Sequence, residues 1–162
     1  MMNVQERIAA LMEEFKVEID KHGFTAVATQ GFAYTVGMAK YGLPEIIVSS
    51  PNPKMSHTLI AIVAKVFIYE GKCTEGLIVD AVPLRGDKFL SLNVEPTQSD
   101  GVVIDQYIVQ AGNFYRSYPE YQVKPMSVCQ VVWPDSKGLF PRDAGYDFDK
   151  CPQYIFKDVD HD

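Results

Sequence analysis

A chain of 162 residues, 47% apolar and 22% charged, is long enough to bury its own core and has the composition of a globular domain, not of a disordered one. Its formal charge of −6 is scattered, and no run of Lys or Arg exceeds one residue, so the basic stripe of a nucleic-acid or anionic-membrane binder is absent. No nucleic-acid partner and no membrane are therefore expected.

The N-terminal "MMNVQERIAALMEEFKVEIDK" holds periodic apolar residues interleaved with charge instead of a signal-peptide core. Val4, Ile8, Leu11, Met12, Phe15 and Ile19 predict an amphipathic helix stopped at His22-Gly23. "FTAVATQ" (24–30) and "FAYTVGM" (32–38) read as strands joined tightly at Gln30-Gly31, and "EIIVSS" (45–50) as a third strand buried on both faces. Residues 51–70 predict a second helix. Pro53 suits its first turn, Ser50 or Asn52 its cap and Gly71 its stop, with Met55, Leu59, Ile62, Val63, Val66 and Tyr69 or Glu70 on the buried stripe. The apolar run "TLIAIVAKVFIY" inside it is interrupted by Lys65 and is too short to span a bilayer.

"GLIVDAV" (76–82) and "KFLSLNVEP" (88–96) read as strands separated by the turn-like "PLRGD". A third helix is expected from Ser99 or Asp100 to Tyr118, with Val103, Tyr107, Gln110 or Ala111, and Phe114 on one side. "MSVCQVVW" (126–133) then reads as a last strand stopped by Pro134-Asp135. The remainder is rich in turn formers and is expected to run over the surface. Strands adjacent in sequence with helices placed singly predict one α+β domain, a mostly antiparallel sheet packed with about three helices. Cys73, Cys129 and Cys151 show no C-x-x-C spacing, and an odd count without a secretion signal implies reduced thiols in the cytoplasm.

Familiar motifs fail on inspection. "EGKCT" (70–74) lacks the first glycine of a phosphate loop, since Val66 stands there, and it follows a helix instead of opening one. "WPD" (133–135) is not accompanied by the cysteine loop of a tyrosine phosphatase. His22, His57 and His161 have no metal-ligand spacing, so no metal site is expected.

Two groups of residues carry chemistry of their own. In "VSSPNPKMSHT" (48–58), Ser49, Ser50, Lys54, Ser56 and His57 surround a helix start whose N–H groups can hold a phosphate or carboxylate; the competing reading is an ordinary cap with Lys54 solvated. Glu45 opens one strand and Asp135 closes another. If the two ends share a sheet edge, their carboxylates flank a pocket containing the Tyr34 hydroxyl, with Thr35 and Trp133 beside it, and can act as acid and base. Otherwise the carboxylates satisfy loop N–H groups, Tyr34 is a core aromatic with its hydroxyl bonded, and Trp133 only packs.

"HGF" (22–24), "FAYTVGM" (32–38), "GLPEIIV" (42–48), Gly71 and "VCQVVWPD…GLFP" (128–141) together resemble the bacterial and phage family known as domain of unknown function 4262, from about His22 to Pro141. The resemblance implies a small cytoplasmic domain sharing Gly23, Phe32, Tyr34, Thr35, Gly37, Pro44, Glu45, Trp133, Pro134 and Asp135, and it implies no particular activity. The chain departs from the family pattern at Phe24, usually Trp, at Met38 and Cys129, usually Leu, and at Arg142-Asp143, where an aromatic and a Glu are typical.

Three functions follow as expectations. The first is binding of a small phosphorylated ligand, with Tyr34, Thr35, Ser49, Ser50, Lys54, His57 and Trp133 in contact and Glu45, Asp135 and Tyr34 as candidate catalytic groups. The second is a protein-interaction or host-interference module, or a homo-oligomer, that uses the segment 142–162 with Tyr146, Phe148, Tyr154 and Phe156; these aromatics equally suit a tail folded back on the core. The third is a sheet closed into a small barrel around a flavin.

Overall fold

A computed structural model describes residues 1–97 and 101–156. Helix α1, Val4–His22, starts where the Asn3 side chain accepts the Glu6 N–H at 2.8 Å. It ends at Gly23, whose left-handed φ of 94° lets its N–H reach the Ile19 carbonyl. Met12, Phe15 and Ile19 form its buried face.

Strands β1 (Thr25–Thr29) and β2 (Phe32–Val36) form the expected hairpin, in a register that opposes Thr29 to Phe32. The second strand stops two residues before the expected Met38. Gly37 turns the chain at φ 113° into a 3-10 turn over Met38–Tyr41. Strand β3 (Glu45–Ser49) is buried at every position, as a central strand should be.

Helix α2, Pro53–Glu70, follows. Its buried positions are Ser56, Leu59, Ile60, Val63, Ala64 and Phe67, a stripe rotated from the expected one, and Tyr69 is exposed. The helix is apolar nearly all round, so periodicity alone does not fix which face turns inward.

β4 (Gly76–Pro83) and β5 (Phe89–Pro96) pair antiparallel, with a bulge between Ile78 and Val82 where Asp80 takes φ 52°. The expected third helix is two helices, α3 (Gly101–Gln106) and α4 (Val109–Ser117). Tyr107 and Ile108 both donate to the Val103 carbonyl at the break. The break swings Ile108 into the core beside Val103, Ala111 and Phe114, which a straight helix could not present together. The start proposed at Ser99 or Asp100 lies outside the described residues, as does His161.

β6 (Val128–Val132) inserts between β3 and β5, giving the strand order β1-β2-β3-β6-β5-β4. Only β3 and β6 are parallel. The fold is a single α+β domain around a mostly antiparallel six-stranded sheet. α2 packs Leu59, Val63 and Phe67 against Ile46, Val48, Leu92, Val94 and Val131 on one face. α1 and α4 pack against Tyr34, Val36 and Ile47 on the other. β1 and β4 are open edges, so the sheet does not close into the barrel that a flavin reading requires. No helix among the described residues is long and apolar enough to cross a membrane.

The C-terminal segment does more than run over the surface. Tyr146, Gln153 and Phe156 are buried, and the Phe156 N–H donates to the Gln130 side chain in the middle of β6. Arg142 and Asp143 serve this docking. Arg142 pairs with the nearly buried Glu95 of β5 at 2.7 Å, and Asp143 accepts the Phe140 N–H.

Candidate functional site

Glu45 is fully buried at the start of β3. Four donors surround its carboxylate. The Thr35 hydroxyl donates at 2.9 Å, the Met38 and Ala39 N–H groups at 3.2 Å each, and the Tyr115 hydroxyl closes the set from α4. Thr35 in turn accepts the Ile46 N–H, and Tyr115 accepts those of Gly37 and Ala39. The group is a knot that holds the turn after β2 onto β3 and α4. Burial pushes the Glu45 carboxyl up from 4.5 to about 7, against the pull of its donors, and burial together with the Glu45 charge raises Tyr115. Tyr34 stands apart from the knot: its hydroxyl accepts the Gln110 N–H, and burial raises it.

Asp135 sits past the other end of the sheet. Because β3 and β6 run parallel with Glu45 beside Val128, the start of β3 and the end of β6 are separated by at least the length of β6, ~13 Å at ~3.3 Å per residue. The two carboxylates therefore do not share a pocket. An antiparallel neighbour would have brought them to one edge; the parallel pair does not. Asp135 accepts the N–H groups of Lys137, Leu139 and Asp147 at 2.9 to 3.0 Å. Burial acts to raise its carboxyl, but these backbone bonds prevail and hold it below its ordinary value. Trp133 donates its indole N–H to the Ser49 carbonyl and is buried, with no face open for stacking.

The start of α2 is fully capped. The Asn52 side chain accepts the Lys54 and Met55 N–H groups, the Asn52 carbonyl accepts that of Ser56, and Pro53 has none. Ser49 and Ser50 accept the N–H groups of Tyr154 and Asn52. No first-turn donor is left for an anion there, and Lys54 is exposed. The Ser56 hydroxyl is buried without a partner.

A different hollow collects titratable side chains. On α1, Glu18 and His22 are four residues apart; on α2, His57, Ala61 and Lys65 follow one another at the same spacing and so share a face. The two faces meet over β1 in a cleft of about 260 Å³ floored by Phe24, Ala26 and Ala61, with Thr25 at its edge. The His22 imidazole lies 3.6 Å from the Glu18 carboxylate. His57 and Lys65 make no side-chain hydrogen bond or ion pair with another described residue. His57 was a sequence candidate; His22, Lys65 and Glu18 were not. The spacing on each helix was readable, but nothing in the sequence says that the two faces meet. Among the described residues no group of three or more His, Cys, Asp or Glu is placed to hold a metal ion.

A family model described as a domain of unknown function (DUF4262) matches residues 18–147. The chain belongs to this family. Comparison with curated proteins and with solved structures finds no match. In this DUF4262 domain the matched span opens at Glu18, on the cleft, and ends at Asp147, whose N–H is held by Asp135. It contains the Glu45 knot, the Asp135 corner and every residue of the cleft.

Proposed function

We propose that this DUF4262 domain binds a small anionic ligand, a phosphate monoester in the first instance, in the cleft between α1, β1 and α2. The observation that carries the reading is the convergence of both described histidines and Lys65 on one apolar-floored hollow. Lys65 supplies a point charge, and His22 and His57 supply ring N–H donors, the groups that recognise phosphate oxygens. Glu18 holds His22 at the rim and makes the cleft selective, because an anion must approach from the His57 and Lys65 side.

Thermal unfolding with nucleoside monophosphates, sugar phosphates and inorganic phosphate at millimolar concentration tests the reading. A ligand present at about a hundredfold its dissociation constant stabilises by about 2.7 kcal/mol, a shift of about 5 to 10 °C for a domain of this size. The shift should vanish in Lys65→Ala and His57→Ala and persist in Lys54→Ala. No shift from any of these compounds, or an equal shift in all three variants, overturns the reading. The same imidazoles are the groups an acyl or phosphoryl transfer would use as acid and base, so turnover of any stabilising ester is the next measurement.

A second reading, an interaction or self-association module, is favoured by the exposed Leu77, Val79, Leu84 and Phe89 on the β4–β5 hairpin. It predicts concentration-dependent association that Phe89→Ser weakens, measured by light scattering.

A further inference from the structure

Cys73 lies in the turn that follows α2, and Cys129 is the second residue of β6. α2 begins at the end of β3 and runs back along the sheet, so its C-terminus returns to the edge where β3 and its parallel neighbour β6 begin. That topology sets Cys73 over the start of β6. All three cysteines pack in the same apolar cluster, Cys129 buried within it and Cys73 and Cys151 half-buried at its border. The Cys151 carbonyl, however, is bonded by Tyr146, which also contacts Gln153 beside Trp133, so Cys151 belongs to the opposite end of β6.

We infer that Cys73 and Cys129 are a dithiol pair that a peroxide converts into a disulfide, with Cys73 the thiol that reacts first. Cys73 is the partly accessible member, and hydrogen bonding from Cys129 holds its thiol below the ordinary value despite burial and the nearby Glu75 charge. Cys129, sealed under α2 and facing the Glu45 and Glu75 charges, is raised, first through its bond to Cys73 and then through burial. The asymmetry suits an attacking and a resolving thiol. The Cys73 thiolate attacks one peroxide oxygen, the O–O bond breaks, and the departing hydroxide takes up a proton as water, leaving a sulfenic acid. The Cys129 sulfur then attacks the Cys73 sulfur as its own proton leaves. The S–O bond breaks, a second water departs and the S–S bond forms. Two thiols lose two electrons and the peroxide gains them.

The full chain treated with hydrogen peroxide, alkylated and mapped by mass spectrometry tests this. The expected result is a loss of two hydrogens from the intact mass, a peptide linking Cys73 to Cys129, Cys151 still alkylated, and reversal by dithiothreitol. In Cys129→Ser, a dimedone adduct should accumulate on Cys73; in Cys73→Ser, Cys129 should stay unmodified. A link to Cys151, a sulfinic acid on Cys73 with Cys129 free, or all three thiols unchanged overturns the inference. The map of the unmutated chain decides it even if a variant fails to fold.

Discussion

Replacing Glu45 by Gln turns the buried knot into a measurement. In the unfolded chain a glutamate titrates near 4.5, whereas burial in the fold lifts this one to about 7. The folded protein therefore holds the proton more tightly than the unfolded chain does. The stability gained from the protonated form is complete below pH 4.5 and is lost as the pH rises through 7. Each tenfold change in proton affinity is worth about 1.4 kcal/mol, so the full displacement corresponds to about 3 kcal/mol, of which about 2.5 kcal/mol falls between pH 5 and pH 8. Urea unfolding of the natural chain and of Glu45→Gln at both pH values isolates this term, because every other titrating group is common to the two. The variant itself should be weaker by about 1 to 3 kcal/mol, since its amide turns hydrogens toward the Ala39 N–H and the Tyr115 hydroxyl, which are already donors. What matters is the change with pH: the advantage of the natural chain should shrink by about 2.5 kcal/mol between pH 5 and pH 8. An advantage that does not change, or that grows with pH, would mean that the four donors outweigh burial and keep the carboxylate ionised, and the reasoning would fail.

Two further outcomes follow from the fold. Deleting residues 143–162 removes buried Tyr146 and Phe156 and leaves the Trp133 and Gln130 partners of Gln153 and Phe156 exposed, so the truncated chain should lose its cooperative thermal transition; an unchanged transition would return the segment to the role of an interaction tail. Gly37→Ala should destabilise more than Gly31→Ala as judged by urea midpoints. Both have positive φ, but a Cβ at 37 would stand 2.9 Å from the Ile19 side chain whereas one at 31 meets nothing, and equal midpoints would contradict that packing.

The elements of the fold were legible because their signals are local. The Asn52-Pro53 start of α2, its Gly71 stop and the Gly31 turn each act within a few residues. The break between α3 and α4 was not legible, because it is decided by the cavity that Ile108 fills and not by any breaker in the sequence. Nor was the placing of Glu45 and Asp135. Both were recognised as strand-end carboxylates, but their separation depends on β6 entering parallel beside β3, a pairing between segments some eighty residues apart. Tyr115 completes the knot from α4, next to Phe114 but outside the set of residues expected on that helix's packed side.

The polar residues on which the sequence resemblance rests are thus consumed by the fold. Thr35, Glu45, Trp133 and Asp135 have their polar atoms engaged by backbone, by Tyr115 or by one another, and Gly37 is needed for the turn that presents two of those backbone donors. A ligand that displaced any of these contacts would leave a buried donor or acceptor unmatched, a loss of about 1 to 3 kcal/mol for each group before any binding could register. The cleft is different: His57 and Lys65 give up only water when a ligand arrives. If a DUF4262 domain acts on a small molecule, the motif supplies the frame and the faces of α1 and α2 supply the chemistry. Substitutions in the motif should then lower ligand binding only in step with stability, whereas Lys65→Ala should abolish binding with the melting temperature of the free protein intact. Binding lost in Thr35→Val at full stability would place the site back in the sheet.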